Sequence, residues 1–220
     1  MKRLLLPALL LTTLTACTAA PADTLPAAAP TPTPTSTPAP TAAPALADAL
    51  TLEEKIGQLF IIRPDALDLT LPQETINDAK ADGVTMLTDA MRETLQAYPV
   101  GGICQFGKNI TDPEQLAQFN ADLQAASRTP LFIAVDEEGG AVARLANHPA
   151  FDLPQYESAA AVGASGDPAD ACAMGQTIGA YLKEYGFNMD FAPDADVNTN
   201  PDNPIIGTRA FSSDAATAAE

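Results

Sequence analysis

Tryptophan is absent from this sequence, and aromatic residues make up only 5% of it. Aromatic faces often carry the ring of a bound sugar, so this scarcity counts mildly against a pure carbohydrate-binding module. Basic residues are few as well: 11 Lys and Arg stand against 28 Asp and Glu, a formal charge of −17. Such a surface repels phosphate backbones, which argues against nucleic acid as a partner. The single histidine, His148, precedes Pro149 in a loop and reads as solvated or structural. With one histidine and three scattered cysteines, no metal-ligand spacing exists. No glycine-rich loop follows a strand in the dinucleotide-binding pattern, so no cofactor is expected. Cys104 and Cys172 read as buried free thiols, the default for unpaired cysteine.

Long apolar runs are missing too. Leu4–Ala16 is 13 residues, too short to span a bilayer comfortably and broken by Pro7. With Lys2 and Arg3 ahead of it, the run reads as a targeting segment. It ends Leu14-Thr15-Ala16-Cys17, which resembles a bacterial lipobox, where the cysteine is lipidated and becomes the new N-terminus. An ordinary secretory signal cleaved nearby is the alternative. The expectation is a signal over 1–17 with Cys17 lipidated, and a membrane held through buried acyl CH2 groups on the extracytoplasmic face. Residues 18–47 are Pro, Thr and Ala in low complexity, unable to build a core and biased toward polyproline II. They read as a semi-rigid tether. The folded part is expected over 48–220.

What is present from there on is an alternation of strands and helices. Thr51 with Glu54 forms a capping box before a first strand over Gln58–Ile62. Helices are expected over Pro72–Ala81 and Asp89–Tyr98, then a strand over Val100–Gln105. Asp112-Pro113 starts a helix whose apolar residues Leu116, Phe119, Leu123 and Ala126 keep helical spacing. Leu131–Val135 is a third strand, Pro168–Tyr185 a helix ended by Gly186, and Phe187–Ala192 a fourth strand. This order implies parallel pairing through right-handed crossovers, an α/β fold of the TIM (β/α)8 type. A closed eightfold barrel needs about 250 residues. The sequence stops inside what reads as a new helix, SSDAATAAE, so roughly the first half of a barrel is expected.

The chain is organised around LFIAVDEEGGAVAR, residues 131–144. A buried strand delivers Asp136 into a glycine turn at the strand's carboxyl end, where such folds bind ligands. Neighbours on an extended chain point to opposite faces, so of the three acids at most Asp136 and Glu138 share a side. Arg144, eight positions on, is close enough to return to the same pocket. Carboxylate and guanidinium offer several directional hydrogen bonds, which suits a hydroxyl-rich ligand such as a sugar. A turn with a solvated carboxylate is the plain alternative. The loop after the fourth strand, PDADVNTNPDNPIIGTRAF, leaves the same end of the sheet and can bring Arg209 to that pocket. Its Asn and Asp also make local turns. Its spacing lacks the glycine and terminal glutamate of an EF-hand calcium loop.

VDEEGGAVAR, MDFAPDADVNTNPDNPIIGTRAF and TLEEKIGQLF together resemble the N-terminal catalytic domain of glycoside hydrolase family 3, in order and with the expected spacings from about Leu50 onward. Glu-Glu-Gly-Gly after the third-strand aspartate is similar to the bacterial β-N-acetylhexosaminidase branch rather than the β-glucosidase branch. The resemblance implies substrate-binding roles for Asp136, Arg144 and Arg209. It implies removal of terminal non-reducing N-acetyl-β-D-hexosamine from chitin- or peptidoglycan-derived oligosaccharides, by retaining hydrolysis through a covalent glycosyl–aspartate intermediate. The expected partners are an amino-sugar oligosaccharide and, through the lipid anchor, a membrane; the working expectation is a monomer. A β-glucosidase of the same family and a non-catalytic sugar-binding lipoprotein are the alternatives.

Three departures accompany the resemblance. Ala141 stands where the family often has arginine after Gly-Gly. Asp194 stands where it usually has an apolar residue. The family's Lys-His pair, histidine acid/base loop and nucleophilic aspartate lie downstream of Glu220. The resemblance therefore assigns no catalytic residue in this chain, and the 220-residue piece alone is expected to be inactive, with an exposed sheet edge.

Overall fold

A computed structural model describes residues 46–220; the expected signal segment with Cys17 and nearly all of the expected tether lie outside the described residues. Two short helices come first, α1 (Leu46–Ala49) and α2 (Leu52–Gly57). The expected capping box is present: the Thr51 hydroxyl accepts the Glu54 amide and the Glu54 carboxylate accepts the Thr51 amide. The first strand is shorter than expected, β1 (Ile61–Ile62), because Gln58 closes α2 and its side-chain amide donates to the carbonyls of Pro99 and Val100. The expected helix over Pro72–Ala81 is also cut short, to α3 (Gln73–Asn77). The Lys108 ammonium takes the carbonyls of Thr75, Ile76 and Asp78 and so ends it.

The remaining expectations hold within a residue or two. They are α4 (Asp89–Ala97), β2 (Gly102–Cys104), α5 (Pro113–Ala126), β3 (Phe132–Val135) and, after an interruption, α7 (Pro168–Glu184) and β6 (Met189–Asp190). Asp112 caps α5 and Asp167 caps α7, each with proline at the next position, where a missing amide proton costs nothing. Gly186, at φ 83°, ends the last of these helices. The interruption contains a hairpin, β4 (Glu137–Gly139) with β5 (Val142–Ala143), and a short Ser158-capped helix, α6 (Ala159–Gly163). A final helix, α8, covers Ala215–Ala219.

The four main strands pair in parallel in the order β1–β2–β3–β6, with Ile61 opposite Gly102, Ile103 opposite Ile133, and Val135 opposite Asp190. Spatial order equals chain order, with no reversal point. That is the winding of a (β/α)8 barrel rather than of a doubly wound sheet. Ile103, Ile133 and Val135 join a core with Leu116, Phe119 and Leu123 of α5 and with Met174, Ile178 and Leu182 of α7. Burial of side chains this size contributes about 1.5–3 kcal/mol each. Alternation turns Ala134 the other way, and Asp136 continues that side just past the strand. Among the described residues, no helix is long and apolar enough to cross a membrane. Cys104 is buried as expected, but Cys172 is exposed: it lies on α7 away from the buried stripe of Met174, Ile178 and Tyr181.

Candidate functional site

The hairpin β4–β5 builds the site. Its turn depends on Gly139 and Gly140, at φ 82° and 63°, a region that side chains other than glycine rarely enter. Space is equally tight. A Cβ on Gly139 would collide with the Met174 methyl, and one on Gly140 would lie 2.9 Å from the Ser158 Cα. The chain thus folds straight back after β3, and Arg144 returns over Asp136. One of its Nη2 protons is donated to Asp136 Oδ2 at 3.0 Å. The side chains are 31% and 27% exposed, so each is mostly covered but reaches water.

Arg209 does not contact Asp136 directly. It reaches the cluster through Glu138, donating from Nε to Oε2 at 2.8 Å and from Nη2 to Oε1 at 2.6 Å. This is a two-pronged pairing, the strong form of a charge-assisted bond. The same Nη2 lies 3.2 Å from Asp194 Oδ2, a charge contact without hydrogen-bond alignment. Hydrogen bonding to Glu138, then its charge and that of Asp194, pushes the Arg209 pKa up. The departure at 194 therefore has a structural consequence: a second carboxylate faces the arginine. Asp136 and Glu138 each take an arginine, while Glu137 turns away toward α7, as strand alternation requires.

Glu137 has no solvent exposure. Its Oε2 accepts the Leu145 amide at 2.9 Å, and its Oε1 accepts the Ala146 amide and the Tyr181 hydroxyl, each at 2.8 Å. Burial, then the neighbouring Glu137 charge, pushes the Tyr181 phenol well above its usual value, so it stays a donor. The Glu137 amide in turn donates to Asp190 Oδ1 at 3.0 Å. Burial pushes the Asp190 carboxyl up to about 6; the hydrogen bond from the Glu137 amide works against this, and the charges of Glu137, Asp136 and Glu138 add to it. The Cys104 thiol, register partner of Ala134, is pushed up to about 12 by burial and then by the Asp136 charge. It is an inert neighbour of the site, not a nucleophile.

A cavity of about 470 Å³ lies beside the cluster, lined by Glu137, Glu138, Asp190 and Asp194 and by apolar residues of α7 such as Met174 and Ile178. Asp136 and Arg144 lie outside it. Two polar atoms of the cluster, Arg144 Nε and Asp194 Oδ2, are buried without a hydrogen-bond partner. Among the described residues no group of three or more His, Cys, Asp or Glu side chains is arranged to hold a metal ion. His148 stacks edge-on against Phe151, and its Nδ1 accepts the Ala150 amide at 3.3 Å.

The structure thus brings Asp136 and Arg144 into contact and sets Arg209 one carboxylate away. Reading the residues alone missed Glu138 as the partner of Arg209. It also missed Asp190, whose charge is hidden in the apolar string FNMDFA.

The arrangement can be set against known proteins. Residues 51–220 match the Glycosyl hydrolase family 3 N terminal domain. The chain belongs to glycosyl hydrolase family 3. As a family 3 chain it is 36% identical over 134 residues to beta-hexosaminidase A of Pseudoalteromonas piscicida, an alignment covering 59% of this chain and 22% of that protein. A family 3 beta-N-acetylglucosaminidase from Paenibacillus sp. superposes with a TM-score of 0.60 at 35% identity, covering 77% of this chain and 29% of that one. NagZ from Neisseria gonorrhoeae, solved with N-trifluoroacetyl-D-glucosamine, gives 0.54 at 28%, covering 62% and 41%. The chain therefore spans between about a fifth and two fifths of the length of these relatives. The (β/α)8-type fold expected from the strand order is the fold these likenesses share, and the family 3 chain carries part of it.

Proposed function

We propose that the full-length gene product hydrolyses terminal non-reducing N-acetyl-β-D-hexosamine residues from chitin- or peptidoglycan-derived oligosaccharides, with retention of configuration. The observation that carries this reading is the contact of Asp136 with Arg144, next to Glu138 with Arg209, at the carboxyl ends of parallel strands. In this reading Asp136 accepts two sugar hydroxyls in charge-assisted bonds, and the arginines have donors left over for ring substituents. A carboxylate over the last ring also accounts for an exo preference. Asp136, Arg144 and Arg209 are binding residues in this reading; the nucleophile and the acid/base are assigned to no residue of this chain. The relatives named beta-hexosaminidase and beta-N-acetylglucosaminidase support the amino-sugar substrate.

Paired nitrophenyl glycosides test the reading on the full-length gene product. Release from the N-acetyl-β-glucosaminide with little from the β-glucoside is expected; activity on the glucoside alone would overturn it in favour of a β-glucosidase. We also propose that Cys17 is lipidated and holds the protein to the outer face of the cell membrane, on the strength of the Leu-Thr-Ala-Cys string. Cys17→Ser should move the protein from the membrane to the soluble fraction. An unchanged membrane fraction would end that part of the reading.

A further inference from the structure

We propose that Glu137, a carboxylate with no solvent exposure, is the positioning residue of the sugar-binding cluster. The Asp136–Arg144 pair cannot hold its own geometry well. Both side chains are about a third open to water, and an exposed pair gains little over its solvated, disordered alternatives. Arg144 Nε has no hydrogen-bond partner, so a single hydrogen bond orients a long side chain. What is fixed instead is the backbone on either side. Glu137 directly follows Asp136, and its amide is held by Asp190 Oδ1. Its carboxylate accepts the amides of Leu145 and Ala146, the two residues directly after Arg144. One fully buried side chain therefore ties the residue after the acid to the residues after the arginine. Tyr181 anchors that carboxylate to α7, the longest helix described, through a third hydrogen bond.

A carboxylate is the group this position requires. Three donors converge on its two oxygens, and a carboxylate has acceptors only. A glutamine supplies one acceptor oxygen and one NH2, which would face an amide proton of Leu145 or Ala146. Binding energy spent on orienting a ring at the reacting carbon is lost when the contacts that orient it loosen. Loosening the tie should therefore act through Arg144.

The functional half of this inference rests on the glycosidase reading above, and its test separates the two. In the full-length gene product, Glu137→Gln should lower kcat/KM on the nitrophenyl N-acetyl-β-glucosaminide about 10-fold. In an Arg144→Ala background the same change should cost less than twofold, because the residue it positions is gone. Equal losses in both backgrounds would mark Glu137 as a general stability residue and overturn the proposal. Amide hydrogen exchange gives a readout independent of turnover. Leu145 and Ala146 should exchange at least 10-fold faster in Glu137→Gln, with α5 unchanged; unaltered protection at those two amides would also overturn it. Should Glu137→Gln fail to fold, Tyr181→Phe removes the anchor while leaving both amide bonds, and about a threefold effect is expected on each measurement. A gene product that turns over neither glycoside refutes the glycosidase reading alone, and the exchange result still decides the role of Glu137.

Discussion

Two clusters of acid and base sit at strand ends in this protein, and they differ in how fully they are paired. After β1 and β2, Asp65, Lys108 and Asn109 form one. Asp65 is wholly buried; its Oδ1 accepts the Val84 amide at 3.1 Å and its Oδ2 accepts the Asn109 side-chain amide at 2.9 Å. The Lys108 ammonium, 4% exposed, lies 3.4 Å from Asp65 and donates to three carbonyls at the end of α3. Asn109 also donates to the Val84 carbonyl and accepts the Phe106 amide. No side-chain atom of this cluster lacks a partner. The second cluster, Asp136 and Arg144 with Glu138, Arg209 and Asp194, is partly open to water at Asp136 and the two arginines, and two of its buried polar atoms, Arg144 Nε and Asp194 Oδ2, make no hydrogen bond. A saturated network fixes a fold; an unsaturated one still has hydrogen bonds to give to something else.

That contrast makes a crossed prediction. Asp65→Ala leaves a buried ammonium without its counter-charge, which should cost about 3–5 kcal/mol of stability. Asp136→Ala removes a carboxylate that is about a quarter exposed and should change stability by less than about 1 kcal/mol. On the glycosidase reading it should lower kcat/KM about 100-fold, or about 3 kcal/mol, from two charge-assisted bonds to hydroxyls. Denaturant melts and kinetics on both variants check the cross. If Asp136→Ala destabilises as much as Asp65→Ala, the two clusters are the same kind of thing and the second loses its claim to be a site.

The two clusters were not equally visible in the sequence. Asp136, Arg144 and Arg209 announce themselves because Asp136 opens an acidic run at the end of an apolar strand and each arginine follows closely on a glycine turn. The strand order was legible for the same reason: four apolar runs, each followed by a capped helix. Asp65, Lys108 and Asn109 carry no such local mark. Their partners lie 19 to 44 positions away, and only the folded sheet brings them together. Distance also hid the Glu138–Arg209 pair, 71 positions apart, though alternation already set Glu138 on the side of Asp136. The late start of β1 and the early end of α3 were invisible because side-chain bonds to backbone far along the chain, those of Gln58 and Lys108, decide where these elements start and stop. Cys172 was misplaced because a cysteine's average burial says nothing about which face of its own helix it occupies.

Asp190 falls between the two clusters and offers the smallest but most informative change. It is buried enough for its carboxyl to sit near 6, against about 3.9 in an unfolded chain. Its ionised form is thus disfavoured by folding. Between pH 6 and 4 the folded state binds a proton that the unfolded state does not, so this residue's contribution to stability rises as pH falls through 6 and levels off below 4. Above about pH 7 the penalty is constant. A shift of this size corresponds to about 3 kcal/mol if undiminished; partial solvent access reduces the realistic figure to about 1 kcal/mol. Asp190→Asn keeps the oxygen that accepts the Glu137 amide and removes the charge. At pH 7.5 it should raise Tm by about 2–4 °C, with the gain shrinking through pH 6 and gone by pH 4. A Tm difference that does not vary with pH would mean the Asp190 charge is already compensated. Asp190 would then belong with Asp65 in the saturated class, and the boundary between scaffold and site would run between Asp190 and Asp136 rather than through the carboxylates beneath the hairpin.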